Sequence, residues 1–141
     1  MRKILLRGKC NEVGKYNGQW IEGFYGEDDG KPIIARSTDH GLIGYFCEPD
    51  SIGQYTGLTD KNGKKIFEGD ICNISIPRID GGFNRHNKCL CSYEGGMYKF
   101  SSYSDIYLCM GNGYGYPDTC HQNIEVIGNI HDNPELLEVV E

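Results

Sequence analysis

The sequence predicts an all-β, β-dominated fold, and three observations carry that prediction. Twenty glycines and ten tyrosines occur among 141 residues, with five prolines. That composition places many tight turns between short strands. Segments of three to seven residues that carry β-branched or aromatic side chains recur along the chain between turn signals. No long stretch has the 3.6-residue apolar period of an amphipathic helix, and no internal repeat is visible.

The elements follow in order. Ile4 to Arg7 is the first expected strand, and Cys10 to Gly18 is a polar loop. Gln19-Trp20-Ile21-Glu22-Gly23-Phe24-Tyr25 carries bulky β-formers and reads as the second strand. Glu27-Asp28-Asp29-Gly30 is turn chemistry, and Ile33-Ile34-Ala35 returns from it. Pro32 lacks an N–H, which suits a strand start or an edge. Leu42-Ile43-Gly44-Tyr45-Phe46 follows polar Ser37 to Gly41, and Glu48-Pro49-Asp50-Ser51 marks a boundary between two halves.

The sharpest local signal is Asp60-Lys61-Asn62-Gly63, between Gln54 to Leu58 and Lys65 to Phe67. Asn-Gly favours a type I′ hairpin turn, with both central residues at positive φ. Asp60, Lys61, Lys64 and Lys65 are expected to keep this tip in water. In Ile71 to Ile76 the period of two puts Cys72, Ile74 and Ile76 on one face. Arg78 to Lys88 reads as an exposed loop. Cys89 to Tyr93 and Met97 to Phe100 form a second hairpin about Glu94-Gly95-Gly96, and Ile106 to Met110 is a further strand. Gly111 to Cys120 reads as a glycine- and tyrosine-rich loop, and Ile124 to Ile130 is the last strand. Asp132 or Asn133 caps a short helical turn with Pro134 at its first position and Leu136 and Leu137 turned inward. The architecture expected is a set of β-hairpins over 1–50, then a small SH3-like barrel with the C-terminal helical turn over 51–141.

Composition argues against several classes, although a local basic patch stays open because net charge says nothing about distribution. The formal net charge is -6, whereas duplex binders usually present a basic field. No apolar run approaches the roughly 20 residues of a membrane-spanning helix. Arg7 and Lys9 interrupt the apolar Ile4-Leu5-Leu6 too early for a signal peptide, so an intracellular protein is expected. The seven cysteines are an odd number and are expected to be reduced thiols.

Three segments resemble the YopX family of phage and prophage proteins. The first is Arg7-Gly8-Lys9 with Asn17-Gly18-Gln19-Trp20-Ile21-Glu22-Gly23. The second runs from Ser51-Ile52-Gly53-Gln54-Tyr55-Thr56-Gly57-Leu58 through Asp60, Asn62-Gly63 and Ile66 to Glu68-Gly69-Asp70-Ile71. The third is Ile124 to Leu137, with Gly128-Asn129-Ile130-His131-Asp132-Asn133-Pro134 at its centre. The resemblance implies a protein encoded by a phage or prophage. It brings no catalytic residue, substrate or cofactor to carry over. The segments 78–88 and 111–120 depart from the family pattern, and loops are where a specialised contact is expected.

No chemistry-bearing constellation emerges. Cys89-x-Cys91 and Cys120-His121, with His86 and His131, lack the spacing of zinc ligand pairs. Cys89 and Cys91 share a strand face, as two small buried residues would. Cys120 and His121 point to opposite faces if extended, which argues against a nucleophile and its base. Gly111-Asn112-Gly113-Tyr114-Gly115 lacks the following helix that a phosphate loop needs. Asp28-Asp29, Asp39-His40 and Asp132 read as solvated turn residues, and Trp20 as a core or hairpin-face aromatic. Catalytic, metal and cofactor sites are therefore expected to be absent, and no binding residue is assigned.

The function expected is that of a non-enzymatic phage or prophage accessory protein that binds a host or phage protein in the host cytoplasm, with homo-oligomerisation open. The alternative is a nucleic-acid-associated small barrel, which needs Lys61, Lys64, Lys65, Arg78, Arg85 and Lys88 to gather beside exposed aromatics.

Overall fold

A computed structural model of the chain describes residues 4–94, 97–101, 105–108 and 123–137. The fold is all-β. Its strands are β1 Leu6–Lys9, β2 Trp20–Asp28, β3 Lys31–Thr38, β4 Gly41–Phe46, β5 Gly53–Thr59, β6 Lys65–Phe67, β7 Asp70–Pro77, β8 Phe83–Glu94, β9 Met97–Ser101, β10 Asp105–Leu108 and β11 Ile124–Asn129. Short 3-10 turns cover Pro49–Ser51 and Pro134–Leu137. The second is the C-terminal helical turn that Pro134 predicts. The chain forms two compact units, Met1–Tyr55 and Thr56–Glu141.

In the first unit the strands run β4-β3-β2-β1-β5, all antiparallel. β2 serves two partners in succession. Trp20 to Gly23 pair with β1, and Phe24 to Asp28 pair with β3. The β2–β3 hairpin turns on Asp29 (φ +52°) and Gly30 (φ +76°). Two positive φ angles in a two-residue loop match the right-handed twist of the flanking strands. The sheet then curls until the end of β1 meets the end of β4. Asn11 N–H donates to Phe46 O (3.0 Å) and Glu48 N–H donates to Lys9 O (2.9 Å), with Cys10 opposite Cys47 between them. The Ser51 hydroxyl accepts from Lys9 N–H at 2.8 Å beside this seam. Inside lie Cys10, Ile21, Ile34, Tyr45 and Cys47, with Leu6, Tyr16, Ile43 and Ile52 packed against them. Trp20 lies on the opposite face of β2 from Ile21, and the Arg7 guanidinium stacks 4.6 Å from its ring centre.

In the second unit β6 follows the continuation of β5, and a five-stranded antiparallel sheet has the order β10-β9-β8-β7-β11. Ile66, Cys72, Ile74, Cys89, Cys91, Tyr98, Phe100 and Ile124 form its core. Cys72 and Ile74 are buried on one face as their period of two predicts. The order is open among the described residues, with β10 and β11 at its two ends.

Two local expectations are corrected. The loop read over Arg78 to Lys88 ends at Gly82, because β8 begins at Phe83 and pairs Phe83, Asn84 and Arg85 with Pro77, Ile76 and Ser75. The turn is closed by Arg78 N–H to Gly82 O at 2.7 Å and by Asp80 Oδ1, which accepts from Gly82 N–H at 2.8 Å. Asn84, Arg85, Asn87 and Lys88 look like loop because they are exposed and polar, yet they lie within β8. The ladder shifts register between Cys72 and Ile74. There Lys88 has φ +57° and its N–H donates to Asn73 Oδ1 at 3.0 Å. A left-handed lysine is strained by roughly 1–2 kcal/mol. Lys88→Gly is therefore expected to raise stability by up to about 1 kcal/mol, read as a higher urea midpoint.

The second correction concerns the Asn62-Gly63 hairpin. Gly63 has φ +81°, but Asn62 is not among the residues at positive φ. Asp60 N–H donates to Lys64 O (2.7 Å) and Gly63 N–H to Asp60 O (3.0 Å). This is a three-residue loop ending in a left-handed glycine, not a type I′ turn. Asp60 decides the outcome. Its Oδ1 accepts from Asn62 N–H and Lys64 N–H, each at 2.9 Å, and that side-chain turn holds Asn62 out of the left-handed region. Asp60 is also only 3% exposed, contrary to a solvated tip.

Candidate binding surface

The residues that suggested chemistry are placed as structure. Cys72, Cys89 and Cys91 are buried in the second core. Burial first, then the Asp70 carboxylate and the neighbouring thiols, pushes the Cys72 thiol far above its usual range, and burial raises Cys89. Thiols that resist ionisation are poor ligands and poor nucleophiles. No three His, Cys, Asp or Glu side chains converge to hold a metal among the described residues. His86 lies on β8 opposite Ile74, and His131 is exposed beyond β11. Asp29 forms the β2–β3 turn, and Asp39 and His40 form the turn between β3 and β4. Cys120, His121 and the Gly111 to Cys120 segment lie outside the described residues.

An exposed apolar face lies on the first unit. Register places Phe24, Ala35 and Gly44 side by side across β2, β3 and β4, with Gly26, Ile33 and Phe46 in the next row on the same face. Phe24 is 60% exposed, and Leu42, two residues before Gly44, is 68% exposed. The face ends at β4, which is the last strand of its sheet. Phe46 shows which backbone groups point off that edge. Its N–H donates to Glu12 Oε1 at 2.8 Å and its C=O accepts from Asn11 at 3.0 Å, both away from β3. Backbone direction alternates along an antiparallel strand. Leu42 and Gly44 therefore also aim their N–H and C=O off the edge, and no partner meets them among the described residues. The segment Gly41-Leu42-Ile43-Gly44-Tyr45-Phe46 contains no charge and no proline. Edge strands usually carry such protection.

A second surface lies on the second unit. Lys61, Asn73, Ser75, Phe83, Arg85 and Glu125 are among the residues around a groove of about 230 Å³. Asn73 and Ser75 reach it because they face away from the core side of β7. Lys61 Nζ lies 3.2 Å from Glu125 Oε2, which offsets its charge. Arg78, another of the basic residues considered for nucleic acid, is paired with Asp80 at 3.1 Å. Of the six basic residues, Lys61 and Arg85 come together here, next to a Phe83 that is 47% exposed. Sequence reasoning missed the first surface and named only Lys61 and Arg85 of the second. The uncharged run at Leu42 to Phe46 was the available signal for the first.

No curated protein matches the chain. Among solved structures, it is similar to the crystal structure of protein EF1440 from Enterococcus faecalis, at 25% identity and a TM-score of 0.54, over 98% of this chain and 100% of that one. The family model described as "YopX protein" matches residues 8–138. Covering nearly the whole sequence, from Gly8 on β1 to the residue after the C-terminal 3-10 turn, that match means that the chain belongs to the YopX family.

Proposed function

We infer that this YopX-family chain is a non-enzymatic accessory protein of a phage or prophage, working in the host cytoplasm by binding another protein. The observation that carries the reading is the uncharged β4 edge, where Leu42 and Gly44 present backbone donors and acceptors beside the exposed Phe24 and Leu42 side chains. An extended segment of a partner can add there as a strand, main chain to main chain, with an apolar side chain seated over Gly44. Affinity capture from infected host cells, with and without nuclease, tests this against a Leu42→Lys variant. A specific protein that survives nuclease and is lost with Leu42→Lys is expected, because a charge on the edge opposes strand addition. Equal capture by both proteins, or capture abolished by nuclease, sinks the reading.

A nucleic-acid role has one observation in its favour, the gathering of Lys61, Arg85 and Phe83 around one groove. Aromatic stacking flanked by cations is how single strands are commonly held. Glu125 weakens that field. The reading requires a salt-sensitive shift of labelled single-stranded DNA or RNA that Arg85→Ala reduces. The strand and turn order about Glu68-Gly69-Asp70-Ile71 supports an SH3-like description of the second unit, which by itself assigns no activity.

A further inference from the structure

We propose that Cys10 and Cys47 are a redox modification site: a vicinal thiol pair that closes to a disulfide by exchange with a small-molecule disulfide, locking the seam that joins β1 to β4. The geometry comes from the backbone. Asn11 N–H to Phe46 O and Glu48 N–H to Lys9 O flank the two cysteines on either side. Cys10 and Cys47 are therefore a non-hydrogen-bonded antiparallel pair, the position at which facing Cα atoms come within about 4.5 Å. A disulfide accepts Cα separations of about 4.4–6.8 Å. Both side chains belong to the same inner cluster. Gly8 leaves the room they need: a Cβ there would lie 2.9 Å from Cys47 Cβ and 3.0 Å from its Sγ. Both residues are free thiols. The Cys47 thiol donates to Tyr45 O at 3.4 Å, a weak bond to give up on oxidation.

The route in is a groove of about 430 Å³ lined by Asn11, Glu12, Lys31, Pro32, Pro49 and Cys47. Cys47 loses its proton to solvent, and its thiolate attacks one sulfur of the incoming disulfide, releasing the other half as a thiol. The Cys10 thiolate then attacks Cys47 Sγ and releases the second thiol. Two protein thiols are oxidised and one disulfide is reduced to two thiols, so atoms and electrons balance. Each cysteine is only 2% exposed. Burial first and then the adjacent Cys10 thiol push Cys47 up to about 11. Exchange is therefore slow at neutral pH, and its rate rises about tenfold per pH unit between pH 7 and 9 as the thiolate fraction grows. The other cross-strand pair, Cys72 and Cys89, is fully buried at an irregular point of its ladder, so it is disfavoured.

The experiment is oxidation of the reduced full chain by glutathione disulfide at pH 9, followed by acid quench, unfolding, alkylation and non-reducing peptide mass spectrometry. The expected product has lost two hydrogens and carries a Cys10–Cys47 linked peptide. Its thermal midpoint rises by roughly 10 °C, reversed by reductant, because the bond constrains the unfolded chain. Cys10→Ser is expected to trap a glutathione adduct on Cys47. Recovery of both thiols alkylated, a persistent mixed disulfide on the unaltered chain, or a Cys72–Cys89 link in place of the expected one overturns the proposal.

Discussion

Asp60→Ala is expected to destabilise the second unit by about 3 kcal/mol, measured as the urea midpoint of the full chain with the slope held common. The figure follows from what one carboxylate does. Oδ1 accepts from Asn62 and Lys64, and Oδ2 accepts from Val126 N–H at 2.9 Å, 66 residues away. Bonds to a charged acceptor contribute about 1.5–3 kcal/mol each when removed. Asn62 and Lys64 are exposed, so water can recover their amides, whereas Val126 is half-buried. The sum is therefore less than three full bonds. Lys61 N–H donates to Ile124 O at 2.9 Å beside them, so the tip and β11 separate together when Asp60 is lost. Asp60→Asn is expected to recover little, because an amide cannot accept at both ends.

The same carboxylate sets a pH dependence. Burial raises its pKa, but the amides of Val126, Lys64 and Asn62, with the Lys64 charge, outweigh burial and hold it below the usual carboxylate range. A folded-state pKa below the unfolded value of about 3.9 means that the unfolded chain binds the proton first. The stabilisation is fully present above about pH 4 and is lost as pH falls through the folded value. The gap between parent and Asp60→Asn midpoints should be constant from pH 5 to 7 and narrow below pH 4. A gap that stays unchanged down to pH 2 would show that the carboxylate charge contributes nothing.

Gly23→Ala is expected to cost the first unit at least about 3 kcal/mol, more than overpacking usually does. A Cβ at residue 23 would overlap Ala35 O and stand 2.9 Å from its carbonyl carbon. Both are backbone atoms, so no rotamer change relieves the clash. The strands must part, and the β2–β3 ladder that begins at Phe24 opposite Ala35 must open with them. Gly23 is where β2 finishes pairing with β1 and takes up β3. A glycine inside a strand often marks such a close approach. Hydrogen exchange of β2 and β3 amides, compared with the parent, locates the effect. A variant within 1 kcal/mol of the parent, with the ladder still protected, would show that the sheet yields there at little cost.

What the sequence by itself determined is the class of fold and where most of its strands fall along the chain. Those follow from local physics: the period of two in Cys72, Ile74 and Ile76, the turn chemistry at Asp29-Gly30, and Pro134 at the start of a terminal turn. Local signals failed where an aspartate competed with a turn preference, as at Asn62-Gly63, and where exposed polar residues concealed a strand, as at Asn84, Arg85, Asn87 and Lys88. The tertiary structure alone decided that Asp60 is buried against β11, that Cys10 faces Cys47, and that β4 is the last strand of its sheet among the described residues. Each depends on register between segments distant in the chain. Pairing register is a property of two strands together, so no window along one of them contains it.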